Sequence, residues 1–304
     1  MRILLIVGGW STEREVSLRG GRGMEKALKA RGHEVTWFDL LEGFDSLSDV
    51  AARHDFAMIN LHGAPGEDGL VQALLERAGC PYQGSGPAGS FLALNKSAAK
   101  QIFRRAGLNT PDWEFLPVRP AAGWEPALAY PIFVKSNTGG SSLHLSRAEN
   151  RAQLDSILEE IFTAGDAALM ESAISGKEVT CGVLGGEALP PILIEPVAGA
   201  YFDYESKYAK GGAREICPAP LSAELTARVQ ALALRAHKAL GLAGYSRTDF
   251  ILTPDENLFL LEVNTLPGMT ETSLVPQEAA VIGLDFGALL EKLIELGLQE
   301  HPRA

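Results

Sequence analysis

Two strand-like runs near the end of the chain carry the residues best suited to chemistry. Residues 245–253 read YSRTDFILT and residues 258–265 read LFLLEVNT, joined by Pro254, Asp255, Glu256 and Asn257. Folded as a hairpin about that turn, the runs set Asp249 opposite Glu262 and Arg247 opposite Asn264. Side chains alternate along a strand, so Arg247 and Asp249 share a face, as do Glu262 and Asn264. Two carboxylates directly across a ladder repel, so positive charge is expected between them. The neighbours Phe250, Ile251, Leu260, Leu261 and Val263 are apolar, and acids in such surroundings need partners. Aspartate, glutamate and an asparagine amide are oxygen donors that suit a hard divalent cation such as Mg2+, which commonly also holds substrate phosphates. The hairpin points to an enzyme acting on a metal-bound nucleotide.

Four further segments could contact a ligand. The run GGWSTEREVS at 8–17 follows the first strand, where glycines approach ligands at the carboxyl edge of a sheet. It lacks the spaced third glycine of a dinucleotide fingerprint, and on its own it reads as a tight turn before a charged helix start. The run LHGAPGEDG at 61–69 falls at another strand end, with Asp68 placed to cap the next helix. The run KSNTGGSS at 135–142 could cradle phosphate with backbone N–H groups and neutralise it with Lys135. It is no Walker A loop, and a plain hairpin tip fits it equally well. The aromatic run YFDYESKY at 201–208 sits in a long loop spanning 198–220, which suggests a lid.

The elements that must position these groups alternate at first between strand and helix. Strands are expected at 2–7, 33–40 and 56–61, with helices at 18–31 and from Leu70 to Ala78. Such a β-α-β series implies an open α/β sheet. Residues 84–87 (GSGP) read as a linker. A helix at 95–106, a strand at 131–135, a helix at 147–163 and a strand at 168–172 make a small α+β unit. Strand-like runs at 178–184 and 187–197 flank Gly185-Gly186, a hairpin signal. Ser222 caps a helix running to Leu240. The acidic hairpin follows, and Leu289, Leu290, Leu293 and Ile294 mark a last amphipathic helix.

At 304 residues, the chain is expected to hold two or three domains. The net charge of −11, without a lysine–arginine block, argues against nucleic acid or an anionic membrane as the main partner. Cys80, Cys181 and Cys217 are scattered and odd in number, which fits a reducing cytoplasm rather than a disulfide framework or zinc site. The apolar start at 3–7 is too short for a membrane span.

Taken together, these segments resemble the D-alanine–D-alanine ligase family of the ATP-grasp superfamily. The matching stretches are 8–18, 61–69, 84–86, 95–96, 135–142, 171–178, 202–208, 247–249 and 262–276, in family order over nearly the whole chain. The runs EREVS, YESKY and NTLPGMT with SLVP are specific to it. The resemblance implies a mixed α/β and α+β fold of three domains, an ATP-grasp architecture with an N-terminal open, Rossmann-like α/β sheet. It divides the chain into an N-terminal substrate domain (1–86), a central lid domain (87–177) and a C-terminal domain (178–304) with the metal hairpin and the lid loop. ATP would phosphorylate the carboxylate of one D-alanine, and the amine of a second would attack the acyl phosphate, making a precursor for peptidoglycan.

Residue by residue, the resemblance assigns Asp249, Glu262 and Asn264 to Mg2+, two ions being expected and Mn2+ a substitute. Lys96 and Lys135 would bind phosphate, Glu171 and Ile174 would lie beside adenine, and Glu178 would hold the ribose. Glu15 would anchor the first D-alanine's ammonium, with His62 near. Arg247 and the Gly268 backbone N–H would stabilise the tetrahedral oxyanion. Ser273 and Leu274 would hold the second carboxylate. Ser141 and Tyr208 would join Glu15 in a triad tying the lid to the site, and Lys207 would reach phosphate on closure. A cytoplasmic homodimer is also implied. Ligases joining D-alanine to D-lactate or D-serine are the near alternatives, but Lys207-Tyr208 is intact, which favours an amine acceptor. A nicotinamide dehydrogenase built on the first α/β unit, and a non-catalytic binding module, are the alternatives of other classes.

Overall fold

The apolar run at the start forms the middle strand of a three-stranded parallel sheet. In the computed structural model, which describes residues 1–139, 145–196 and 212–303, β1 (Arg2–Val7) lies between β2 (Glu34–Asp39) and β3 (Phe56–Ile59). Ile3, Leu4, Leu5, Ile6 and Val7 are all fully buried, so both faces of the strand are covered and its sequence shows no alternation. Helix α1 (Arg14–Ala30) begins four residues before the expected start at Leu18. The short α2 (Leu40–Gly43) and α3 (Leu47–Ala51) carry too few apolar positions to show helical spacing. Helix α4 (Leu70–Arg77) follows β3, with the Asp68 carboxylate accepting from Leu70 N at 2.9 Å.

The segment expected to be a linker, 84–87, is not one. Ser85 is buried and its hydroxyl accepts from Ala243 N at 3.2 Å. Pro87 opens helix α5 (Pro87–Leu94) in its first turn, a position that needs no amide hydrogen. Helix α6 (Lys96–Arg105) is capped by the Asn95 side chain, which accepts from Ala98 N.

A second, antiparallel sheet has the order β4 (Trp113–Leu116), β7 (Ala168–Ser172), β5 (Ile132–Ser136), β6 (Ser146–Ala148), backed by α7 (Arg151–Thr163). The third sheet holds β11 (Ala213–Ile216), β10 (Ile192–Pro196), β8 (Lys177–Leu184), β12 (Tyr245–Leu252) and β13 (Leu258–Asn264) in that order, with β9 (Glu187–Ala188) paired to β8. Gly185 and Gly186 turn that hairpin at φ 60° and 85°, values glycine reaches without steric cost. Ser222 caps α8 (Ala223–Ala239), accepting from Leu225 N at 3.1 Å. Helices α9 (Leu274–Val281) and α10 (Phe286–Glu300) complete the chain. Part of the expected 198–220 loop is strand β11, and its residues 198–211 lie outside the described residues.

Among the described residues each of the three sheets carries a large hydrophobic core, and a small fourth cluster gathers Ile192, Ile194 and Leu274. Leu289, Leu290, Leu293 and Ile294 of α10 belong to the first core, together with β1 and β3. Ala93, Ala99 and Phe103 of α5 and α6 belong to the third. Periodicity marks these helices as amphipathic but does not say which sheet their apolar face meets.

Candidate active site

The third sheet presents the acidic hairpin in the expected register. Arg247 pairs with Asn264 and Asp249 with Glu262, and the ladder slips by one residue only after Asp249. The Arg247 guanidinium grips the Asp249 carboxylate with two bonds, Nε to Oδ1 at 2.8 Å and a terminal nitrogen to Oδ2 at 2.7 Å. Thr180 on β8 donates to Oδ1 at 2.6 Å and the Asn264 amide donates to Oδ2 at 3.0 Å. Burial works against the charge of Arg247, yet Asp249 outweighs it and holds the guanidinium pKa above its usual value. Lys96 lies 3.8 Å from Glu262 Oε2. The positive charge expected around the facing acids thus comes from Arg247 on one and Lys96 near the other.

Asp249, Glu262 and Asn264 line one cavity of about 100 Å³ with Lys96, Lys135 and Glu178. Lys96 is held from α6, where its ammonium also donates to Gly139 O at 2.6 Å. Its pKa is lowered by burial, with Glu262 opposing. Lys135 comes from β5; burial disfavours its charge, but Glu171 and Glu262 raise its pKa overall. The set joins oxygen donors to cationic groups, the composition that a metal-bound polyphosphate requires. Among the described residues no group of three or more His, Cys, Asp or Glu side chains converges, so two carboxylates and an amide are what this wall offers a hard cation.

A second cavity of about 560 Å³ adjoins the first. Glu67, Arg247, Glu262, Asn264 and Leu274 line both. Its far wall carries Glu13, His62, Gly268 and Ser273. His62 is buried, its Nε2 has no hydrogen-bond partner among the described residues, and burial lowers its pKa while Glu13 opposes that shift. Glu67 is pushed up to about 8, by burial first and by the charge of Glu13 second. Ser273 precedes α9, and its hydroxyl accepts from Thr270 N at 3.0 Å, which closes the turn after Gly268.

The 8–17 run explains itself in this setting. Arg14 binds Asp39 at the end of β2 with two bonds, one of 2.8 Å. Gly8 N donates to Ser17 Oγ at 2.8 Å, and Ser17 Oγ donates to Asn60 O. Gly8 has φ 77°, and a Cβ there would lie 2.4 Å from both Arg14 and Asp39, so only glycine fits beneath the clamp. Arg14 and Ser17 therefore fasten the turn, leaving Glu13 at the cavity.

The sequence assignments divide accordingly. Lys96, Lys135, Glu178, Arg247, Asp249, Glu262, Asn264 and Leu274 meet at the first cavity, and His62, Gly268 and Ser273 at the second. Glu15 does not meet them: it is exposed on α1 and lines neither cavity, whereas Glu13 is buried and lines the second. Of these two acids, Glu13 is the one placed at the cavity. Glu171 and Ile174 also line neither cavity. Both Glu171 oxygens are taken by lysines, one by Lys100 and the other by Lys135 at 2.6 Å, so its carboxylate is not offered to a nucleotide base. Ser141, Lys207 and Tyr208 lie outside the described residues. Sequence reasoning missed Glu13, Glu67, Thr180 and Lys100. Thr180 stands opposite Asp249 across the β8–β12 ladder, a pairing visible only once β8 is known to neighbour β12.

Comparison with known proteins places the chain as a whole. The family model for the D-Ala D-Ala ligase C-terminus matches residues 102–295. A D-alanine–D-alanine ligase from Desulfovibrio desulfuricans is 70% identical over 300 residues, covering 99% of this chain and 98% of that protein. Another, from Nitratidesulfovibrio vulgaris, is 67% identical, with 98% of each covered. A crystal structure of the Bacillus anthracis D-alanine–D-alanine ligase complexed with ATP superposes with a TM-score of 0.88 at 35% identity, covering 99% of this chain and 98% of that one. A D-Ala:D-Ser ligase from Enterococcus faecalis gives 0.82 at 28% identity, covering 97% and 99%. The full-length relatives, at 70% and 67% identity, span the chain from end to end, and the chain belongs to the D-alanine–D-alanine ligase family.

Proposed function

We propose that this chain joins two D-alanine molecules at the expense of ATP, supplying the dipeptide for peptidoglycan, and that the two adjoining cavities divide the work. The observation that carries the reading is their shared wall. Arg247, Glu262 and Asn264 face both the lysine-lined cavity and the one holding Glu13 and His62.

Lys96 and Lys135 hold the ATP phosphates, and Glu178 the ribose. Asp249, Glu262 and Asn264 would ligate Mg2+, with Mn2+ able to replace it; such an ion neutralises phosphate charge and polarises the transferring group. Glu13 receives the ammonium of the first D-alanine and turns its carboxylate toward the phosphates. A carboxylate oxygen attacks the terminal phosphorus of ATP, ADP departs, and an acyl phosphate results. The second D-alanine, its own carboxylate held at Ser273 and Leu274, attacks the acyl carbon through its amine. Arg247 and the Gly268 N–H stabilise the oxyanion of the tetrahedral intermediate, and inorganic phosphate leaves. Lys207, Tyr208 and Ser141 are assigned to closure over the acyl phosphate, which shields it from water. A homodimer and a cytoplasmic location rest on family resemblance; no helix among the described residues is long and apolar enough to cross a membrane.

The test is phosphate release from Mg-ATP with D-alanine, L-alanine, D-serine or D-lactate as acceptor, with products identified by mass spectrometry. D-Alanyl-D-alanine is the expected product. Efficient coupling to another acceptor with no dipeptide from D-alanine would overturn the substrate assignment.

A further inference from the structure

Among the described residues, Lys100 is the one buried lysine that the reaction just described does not use. It stands one turn after Lys96 on α6, so both project from the same helix face. Lys96 reaches the phosphate cavity, but Lys100 has no exposed surface and lines neither cavity. Its ammonium donates to Thr110 Oγ1 at 2.5 Å and forms an ion pair with Glu171 Oε1. Thr110 in turn donates to Leu260 O at 2.7 Å, on the strand that carries Glu262. The other Glu171 oxygen lies 2.6 Å from the Lys135 ammonium. A continuous chain of polar contacts thus runs from β13 through α6 to β7 and β5, with Lys100 at its centre.

We propose that Lys100 is a positioning residue for ATP binding, acting through Glu171 to leave Lys135 its charge for the nucleotide phosphates. This rests on the reading of the lysine-lined cavity as the ATP site. Glu171 carries one negative charge and meets two ammonium groups, so the Lys100–Glu171–Lys135 cluster has a net charge of +1. Were Lys100 absent, Glu171 would neutralise Lys135 alone and hold it back from an anion in the cavity. A buried carboxylate cannot lose its charge to water, so a single lysine partner would be compensated fully. With two partners, one positive charge stays unspent, and Lys135 is the member that faces the cavity. Burial lowers the Lys100 pKa and Glu171 opposes that shift.

The experiment measures ADP and ATP affinity by calorimetry on the full chain, with thermal unfolding as a control for folding. Lys100→Met should weaken nucleotide binding about tenfold or more, the scale of one charge-assisted contact, while D-alanine KM stays within about twofold. Lys100→Met with Glu171→Gln restores the net charge of +1 and should recover affinity to within about threefold of wild type. Glu171→Gln alone leaves both ammonium groups uncompensated, a net charge of +2, and should bind nucleotide at least as tightly as wild type; weaker binding would overturn the proposal, and this variant serves if Lys100→Met does not fold. Unchanged nucleotide affinity in Lys100→Met, or a double variant weaker than the single one, would overturn the proposal in favour of a purely structural lysine. A wild-type chain that binds neither nucleotide would instead remove the ATP-site reading beneath it.

Discussion

Asp249 and Glu262 stand directly opposite each other on β12 and β13, yet their carboxylates are compensated from different directions. Asp249 is held by Arg247 from its own strand and by Thr180 from the next, while Glu262 looks toward Lys96 on α6. The ladder supplies closeness, and the flanking elements supply the compensation that makes closeness tolerable.

This arrangement makes Asp249→Asn informative. The amide keeps the shape but removes a charge that both Arg247 and a cation would need. Turnover should fall at least about a hundredfold, the scale of losing one preorganised electrostatic contact, and the thermal midpoint should drop too, because Arg247 loses its carboxylate partner; activity is therefore compared at a temperature where both chains are folded. Wild-type turnover would take Asp249 out of the metal site.

Glu13 and Glu15 offer a paired test. Glu13→Gln should raise the KM for the first D-alanine by about tenfold to a hundredfold, because a charge-assisted bond becomes a neutral one. Glu15→Gln, on the exposed face of α1, should stay within about twofold. Steady-state kinetics that reversed this order would return the anchor to Glu15.

Glu278 on α9 predicts a pH effect on stability. Its side chain is fully buried, Oε1 accepts from Gly182 N at 3.0 Å, and Oε2 has no hydrogen-bond partner among the described residues. Burial pushes its pKa up to about 8, well above the usual carboxylate range. A group protonated more firmly in the folded than in the unfolded chain contributes stability that is complete below the unfolded pKa and lost as pH rises through the folded one. Between roughly pH 4.5 and pH 8 the wild type should therefore lose stability relative to Glu278→Gln, by about 1 kcal/mol per pH unit and a few kcal/mol in total. Urea unfolding at pH 5 and pH 8 measures it, and parallel losses in the two proteins would refute the buried-acid account.

Gly297 tests the docking of the last helix. A Cβ there would fall 2.3 Å from Tyr82 O and 2.8 Å from the Phe56 ring. Gly297→Ala should cost about 1–3 kcal/mol through overpacking, although alanine is the better helix former. Denaturant midpoints equal to wild type would show that α10 sits further from β3 than described.

What the sequence could reveal depended on range. The register of the acidic hairpin was legible because one short turn fixes it, and β1 was legible because a strand covered on both faces is apolar throughout. Glu13 was within reach but missed. Glu13, Val16, Gly20 and Gly23 recur at helical spacing and all line the second cavity, whereas a residue two places on lies on the opposite side of a helix. Lys100 and Glu171 were not legible as a pair, because they are brought together by two elements distant in sequence. Nor could the apolar stripe of α10 say that its partner was the sheet at the other end of the chain.

That last pairing has a consequence for how the protein is made. Leu289, Leu290, Leu293 and Ile294 seal the same interior as Ile3, Leu5 and Phe56. On a chain emerging from the ribosome the sheet of β1, β2 and β3 thus stays unfinished until α10 is made. Contacts spanning so much sequence form late and leave apolar surface open meanwhile. Truncation within α10 should be felt first at the sheet of β1, β2 and β3.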